Sequence, residues 1–244
     1  MKKVAVIGSF IVDLMARTPH LPEPGETVMG SFFKAGPGGK GGNQAVAAKR
    51  AGSNLVYSTK IGKDSFAEIA RASFAENGIS MDYVFETEKA ATGAALISVD
   101  EVTSQNEIIV ILGASATYEE EDLEKLKEAL SGCEYLLLQM EINREATERL
   151  ISMAYDMGIR VILNPAPAAK VPLEIIEKVT YLTPNEHEAV LIFGEGETTE
   201  ELLRKYPEKL VITQGSRGVS VCRKNGEVLT VPARPAIVAD TTGA

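Results

Sequence analysis

Short apolar runs and helical stretches alternate along most of the chain. Val4–Ile7 is an apolar run stopped at Gly8, the form of a strand buried on both faces. Residues 42–51 are rich in alanine and predict a helix, and residues 55–61 predict a strand. A second helix is expected over 65–77, with Ser65 and Glu68 spaced as a capping box and Gly78 closing it. Thr117 and Glu120 repeat that spacing ahead of a helix reaching about Leu130. A strand over 135–139, a helix over 144–157, and strands over 160–164 and 179–183 continue the rhythm. Helices starting at Glu186 and Thr199 and a strand over 210–213 complete it. This alternation predicts an α/β fold: a mostly parallel central sheet covered by helices.

Two regions depart from it. Residues 13–35 and 94–112 lack helical periodicity and carry β-rich segments at 26–33, 95–99 and 107–111, with a polar turn over 100–106. They are expected to form a small second sheet, inserted in one α/β domain as a lid over a cleft.

Composition narrows the function classes. At 244 residues, a chain can bury roughly 70–75% of its unfolded surface and needs no disulfide or metal to fold. A net charge of −9 argues against a generic binder of nucleic acid or anionic membrane, which needs a positive field. Local phosphate binding by backbone N–H groups stays open. Cys133 and Cys222 stand far apart outside any CxxC, so neither a disulfide framework nor a zinc site is suggested. The first residues read as a core strand, and no apolar run approaches the ~20 residues of a membrane helix. A cytoplasmic location is expected.

The segment Gly36-Pro37-Gly38-Gly39-Lys40-Gly41-Gly42-Asn43-Gln44 carries the most chemistry. Glycines at this density either make a flexible connection before a helix or let the backbone approach a ligand closely. Lys40 is followed by Gly41 instead of Ser or Thr, so the Walker phosphate loop fails. Gly36, Gly38 and Gly41 match G-x-G-x-x-G, but not at the first strand–helix turn, which speaks against a dinucleotide site.

With the preceding Pro24-Gly25-Glu26-Thr27, this segment resembles the first signature of the ribokinase family of carbohydrate kinases. The resemblance spans essentially the whole chain. It implies a ribokinase-like fold and ATP-dependent phosphorylation of a sugar hydroxyl, with ribose the leading substrate. It further implies that Asp13, Gly39, Lys40, Asn43 and Glu141 bind the sugar. By residue type alone, Asp13 equally suits a strand-to-turn transition, and Glu141 a solvated position before a helix. Asn185 and Glu188 match the family's N-x-x-E motif, implying ATP binding by Asn185 and magnesium held through water by Glu188. Their spacing also makes a capping box. Thr213, Gly215, Ser216 and Gly218 resemble the ATP-binding loop, although a hairpin turn explains the same residues. Asn164-Pro165-Ala166-Pro167 is a further family-like stretch, expected to shape the cleft. Ile11 stands where ribokinases usually carry Asn, which leaves room for a deoxy sugar, a fructose-type ketose or a nucleoside.

Asp240-Thr241-Thr242-Gly243-Ala244 resembles the start of the second family signature. By the resemblance, Asp240 and Thr242 contribute to a monovalent-cation (K⁺) site, and Gly243 and Ala244 begin an anion hole. The catalytic Asp is then expected beyond Ala244, and the chain as given is expected to have little or no kinase activity. The competing class is a non-catalytic sugar-binding protein derived from a kinase. A homodimer through the lid strands is expected, since pairing would cover exposed strand edges.

Overall fold

The computed structural model describes residues 2–234. In chain order the strands are β1 (Lys3–Ile7), β2 (Ile11–Thr18), β3 (Phe32–Gly38), β4 (Asn54–Gly62), β5 (Tyr83–Thr87), β6 (Thr92–Asp100) and β7 (Asn106–Gly113), then β8 (Tyr135–Gln139), β9 (Arg160–Asn164), β10 (Tyr181–Leu182), β11 (Val211–Thr213), β12 (Val219–Cys222) and β13 (Val228–Val231). The helices are α1 (Lys40–Arg50), α2 (Ser65–Glu76), α3 (Glu120–Leu130), α4 (Arg144–Asp156), α5 (Leu173–Lys178), α6 (Glu186–Phe193) and α7 (Thr199–Lys205).

The main sheet has the order β10-β9-β8-β1-β4-β5, and all its pairings are parallel. β1 shows why its sequence is a nearly continuous apolar run. Ala5 and Ile7 face one core with Leu126, Leu136 and Leu150, while Val6 faces another with Ala45, Ala67 and Phe74. Successive side chains point to opposite faces, and helices cover both. Phe74 makes edge-on contacts with Phe10 and Tyr57, at ring-centre distances of 5.3 and 5.4 Å. A fully buried side chain of this kind contributes about 1.5–3 kcal/mol.

The smaller sheet runs β3-β2-β6-β7, with β2 and β6 parallel and the other pairs antiparallel. It is fastened at its base. Asp64, at the end of β4's connection to α2, accepts hydrogen bonds from Thr92 N at 2.7 Å and Thr92 Oγ1 at 2.9 Å. The buried Ser115 hydroxyl accepts from Phe10 N at 3.3 Å and lies 3.3 Å from Lys60 O. Lys60 is itself buried, paired with Asp122 at 2.6 Å and bonded to Thr117 O at 2.8 Å. A third sheet, β11-β12-β13, is antiparallel and continues the main sheet through a parallel bridge from Leu182 to Leu210.

The parallel sheet with helices and a small second sheet is the expected architecture, but several local expectations fail. α1 begins at Lys40, taking in the glycines that the alanine pattern left outside. The first cap of α2 is Asp64, whose side chain accepts from Ala67 N; Ser65 is already helical. The α3 box is Glu119 with Asp122, because the chain ahead of it turns through Ala114–Ala116 and delays the helix. Residues 19–31 form no strand, so the segment expected over 26–33 is replaced by β3, which starts at Phe32. Pro24 and Gly25 punctuate that loop, and proline cannot donate to a ladder. The strand expected over 179–183 is only Tyr181–Leu182. The pattern missed β5, α5 and the β12–β13 hairpin. Among the described residues, no helix is long and apolar enough to cross a membrane.

Candidate active site

β1, β8, β9 and β10 are parallel, so their carboxyl ends share one edge, the usual place for ligands in such sheets. Four chain segments converge there: the turn Gly8-Ser9-Phe10, the start of α1, Glu141 after β8, and Asn164 at the end of β9. Between them and the smaller sheet lies a cleft of about 470 Å³ lined by Asp13, Gly39, Lys40, Asn43, Glu141 and Asn164, among others. All five residues expected to bind sugar therefore face one cavity. A wider trough of about 950 Å³ runs between α3, α4 and α5, away from these strand ends.

Glu141 is buried, not solvated as the alternative reading allowed. Its Oε2 accepts from Ser9 Oγ at 2.5 Å and from Lys40 N at 2.8 Å. Lys40 is the first residue of α1, so the carboxylate lies against the positive end of the helix dipole. Ser9, itself fully buried, was not singled out by the sequence. Small polar residues are too common in turns for one serine to signal such a role.

Glycine is needed here for two separate reasons. Gly39 caps α1 at φ 83°, a conformation that disfavours a side chain, and a Cβ there would lie 2.8 Å from Ile11 N. Gly41 packs directly on the β1 turn: a Cβ would fall 2.6 Å from Gly8 C and Ser9 N.

The opposite wall comes from the smaller sheet. Residues 11 and 13 of β2 share a face, with Ala95 and Ile97 of β6 and Ile108 and Val110 of β7 in register beside them. Ile11, 2% exposed, sits in this wall next to Asp13. The cleft is thus two-sided, with amides and the Glu141 carboxylate on the α1 side and aliphatic groups around Asp13 on the other. The β-rich segments at 95–99 and 107–111 signalled the strands, but not which face would meet a ligand.

A second constellation lies past β10. Asn185 caps α6 and accepts from Glu188 N at 2.8 Å, while Glu188 Oε2 accepts from Asn185 N at 2.8 Å. The capping box is therefore present. Asn185 forms a parallel bridge with Thr213, and Thr213 N donates to Pro184 O at 3.0 Å. Thr213, the last residue of β11, and Gly215 and Ser216 in the loop that joins β11 to β12 are exposed, with Gly218 half-buried. That loop is also a hairpin connection, since the two strands are antiparallel. Arg217 grips both carboxylate oxygens of Glu186 at 2.5 Å, tying loop to helix. Hydrogen bonds from Arg217 and then Gln214 hold the Glu186 carboxyl below its ordinary pKa. Asp240, Thr242, Gly243 and Ala244 lie outside the described residues.

A parallel sheet whose carboxyl ends are overhung by a four-stranded second sheet is the ribokinase-like fold. The chain belongs to the pfkB family of carbohydrate kinases: the family's model matches residues 1–244. It is 42% identical over 246 residues to the ribokinase of Lactococcus lactis, covering 100% of this chain and 80% of that protein. To the ribokinase of Bacillus subtilis (strain 168) it is 38% identical over 244 residues, covering 100% and 82%. The Arabidopsis thaliana ribokinase complexed with ribose and ATP superimposes with a TM-score of 0.82 at 25% identity, covering 99% of this chain and 81% of that one.

Proposed function

We propose that the protein transfers the terminal phosphoryl group of ATP to a sugar hydroxyl, with D-ribose the leading substrate and ribose 5-phosphate the product. The observation that carries this reading is the convergence of Asp13, Asn43 and Glu141 on one cleft. Asp13 accepts from sugar hydroxyls through charge-assisted bonds, and Asn43 offers both a donor and an acceptor. Gly39 and Lys40 bring main-chain groups against the ring. Glu141 has one oxygen engaged by the protein and holds the start of α1 in place for the sugar.

Thr213, Gly215, Ser216 and Gly218 form the nucleotide side, joined to Asn185 by the bridge to Thr213. Magnesium fits a site with few protein ligands, because it keeps several waters and is held largely by phosphates. Glu188 supplies a carboxylate for that purpose through water, and Asn185 binds the nucleotide. When bound, the ion offsets negative charge on the phosphates. A monovalent cation at Asp240 and Thr242, an anion hole begun by Gly243 and Ala244, a homodimer formed through the smaller sheet and a cytoplasmic location belong to the same proposal. Among the described residues the smaller sheet exposes Phe33, Leu96, Ile109 and Ile111 on its outer face, the kind of apolar patch that marks an association surface.

Titration calorimetry with a panel of pentoses, hexoses and nucleosides tests the substrate class, with thermal shifts by magnesium–ATP and NAD run alongside. Sugar binding together with stabilisation by magnesium–ATP and not NAD is the expected result. A protein that binds no sugar, or is stabilised by NAD alone, overturns the reading. Ile11 favours one alternative, a deoxy sugar, because an aliphatic side chain cannot hydrogen-bond to a hydroxyl.

A further inference from the structure

One polar side chain of the cleft, Asn164, stands at a strand end. It ends β9, and among the described residues its buried Oδ1 has no hydrogen-bond partner. Such an atom has lost water's hydrogen bond with nothing in return, and each case in a folded protein calls for an explanation. The side chain lines the same cleft as Asp13, Asn43 and Glu141.

Its position in the sheet is specific. Asn164 is the register partner of Gln139 on β8, two residues before Glu141. On its other side, β9 pairs with β10, whose end leads to Asn185. Asn164 thus stands at the strand end between those that carry the sugar-side and nucleotide-side residues, with neighbouring strands ~4.8 Å apart. The backbone around it is held from both directions. Met140 N donates to Ala166 O at 3.0 Å, and Thr183 N donates to Leu163 O at 2.9 Å.

We infer that Asn164 is a further substrate-contacting residue, its Oδ1 accepting a hydrogen bond from a sugar hydroxyl at the nucleotide-facing end of the cleft. This rests on the sugar-kinase reading. The chemistry of the partner follows from the orphan atom: an amide oxygen needs a donor. Fully ionised phosphate oxygens have no proton to give, whereas every sugar hydroxyl has one. Fixed backbone on either side means that the acceptor is already in place when the sugar arrives, so little ordering accompanies the bond.

The test is D-ribose titration into wild-type protein and the Asn164→Leu, Asn164→Ala and Asn164→Asp variants, with divalent cations chelated, alongside thermal unfolding of each without sugar. Leucine removes the acceptor while keeping similar bulk. Alanine removes it without crowding the cleft, and aspartate keeps it. The expected result is a Kd about tenfold weaker for both N164L and N164A, with N164D near wild type. Ligand-free Tm should be unchanged or higher in N164L, since an unsatisfied buried acceptor has been removed. Ribose binding by N164L and N164A at wild-type strength overturns the inference and leaves an ordered water or a structural role. A fall in Tm with affinity intact does the same. Wild-type protein that binds no sugar removes the sugar reading itself and this inference with it.

Discussion

Ser9 and Glu141 are 132 residues apart in sequence, and their side chains meet in a buried 2.5 Å hydrogen bond. The contact joins the turn after β1 to the segment after β8, and Lys40 N donates to the same carboxylate oxygen. Removing the hydroxyl leaves a buried charge with one donor fewer, at a cost of about 1–3 kcal/mol. Ser9→Ala is expected to lower Tm and weaken sugar binding together. Differential scanning calorimetry and ribose titration check both; loss of neither means that Ser9 does not position Glu141.

Gly38 is a test of Asp13 that leaves the carboxylate itself in the sequence. A Cβ at residue 38 would stand 2.3 Å from Asp13 Oδ2 and 2.4 Å from Oδ1. The Asp13 side chain must swing away from any larger residue. Gly38→Ala is therefore expected to reduce ribose affinity about tenfold or more, in the manner of Asp13→Asn, because charge-assisted bonds are worth roughly 1.5–3 kcal/mol. Ribose affinity equal to wild type in G38A would remove Asp13 from the sugar site.

Ile11 sits in the cleft wall beside Asp13. Asparagine there is close in size and offers a hydroxyl partner. Ile11→Asn is expected to tighten D-ribose binding by up to about tenfold while leaving 2-deoxyribose within about threefold, since a single neutral hydrogen bond contributes about 0.5–1.5 kcal/mol. Competition titration with the two pentoses measures the ratio directly, and an unchanged ratio counts against a specificity role for this position.

Much of this arrangement was legible in the chain because the signals were local and redundant. The apolar run at Val4–Ile7 needed both faces covered, and the glycines at 36–42 allowed either a flexible connection or a close approach to a ligand. Other features were not legible, because they depend on distant partners. Glu141 reads as a surface residue until Ser9 and Lys40 N are seen around it. The α1 boundary was missed because glycine disfavours helix interiors by about 1 kcal/mol. The close fit of Gly41 against the Gly8–Ser9 backbone overrides that preference. Asp64 lost its cap role to Ser65 in the sequence reading because its second task, binding Thr92, lies 28 residues away.

Asp64 gives a pH dependence. Partial burial is the largest influence and pushes its carboxyl upward, but hydrogen bonds from Thr92, Ala67 and Phe66 together pull it below the ordinary value. A depressed folded-state pKa contributes stability that is complete above the unfolded-state pKa, about 3.9, and is lost as pH falls from there through the folded-state value. Asp64→Asn is expected to lower Tm by a few degrees at pH 7, with the gap to wild type closing below about pH 4. Thermal unfolding between pH 3 and 7 checks this; a constant gap would mean that the charge plays no part.

The outer face of the smaller sheet supplies the oligomer prediction. Phe33 is 66% exposed and Ile109 61% exposed, and both lie on the side turned from the cleft. A Phe33→Glu, Ile109→Glu double variant is expected to sediment as a monomer where wild type sediments as a dimer. Wild-type protein that is monomeric at tens of micromolar would show that this patch serves another purpose.

The bare contact between Gly8 and Gly41 works as a caliper. Helix and turn touch there through main chain, so the spacing between α1, which carries Lys40 and Asn43, and the turn after β1 is set by atoms that every amino acid shares. Side chains elsewhere in the cavity can then vary and retune which ligand fits, while the jaws keep the same opening.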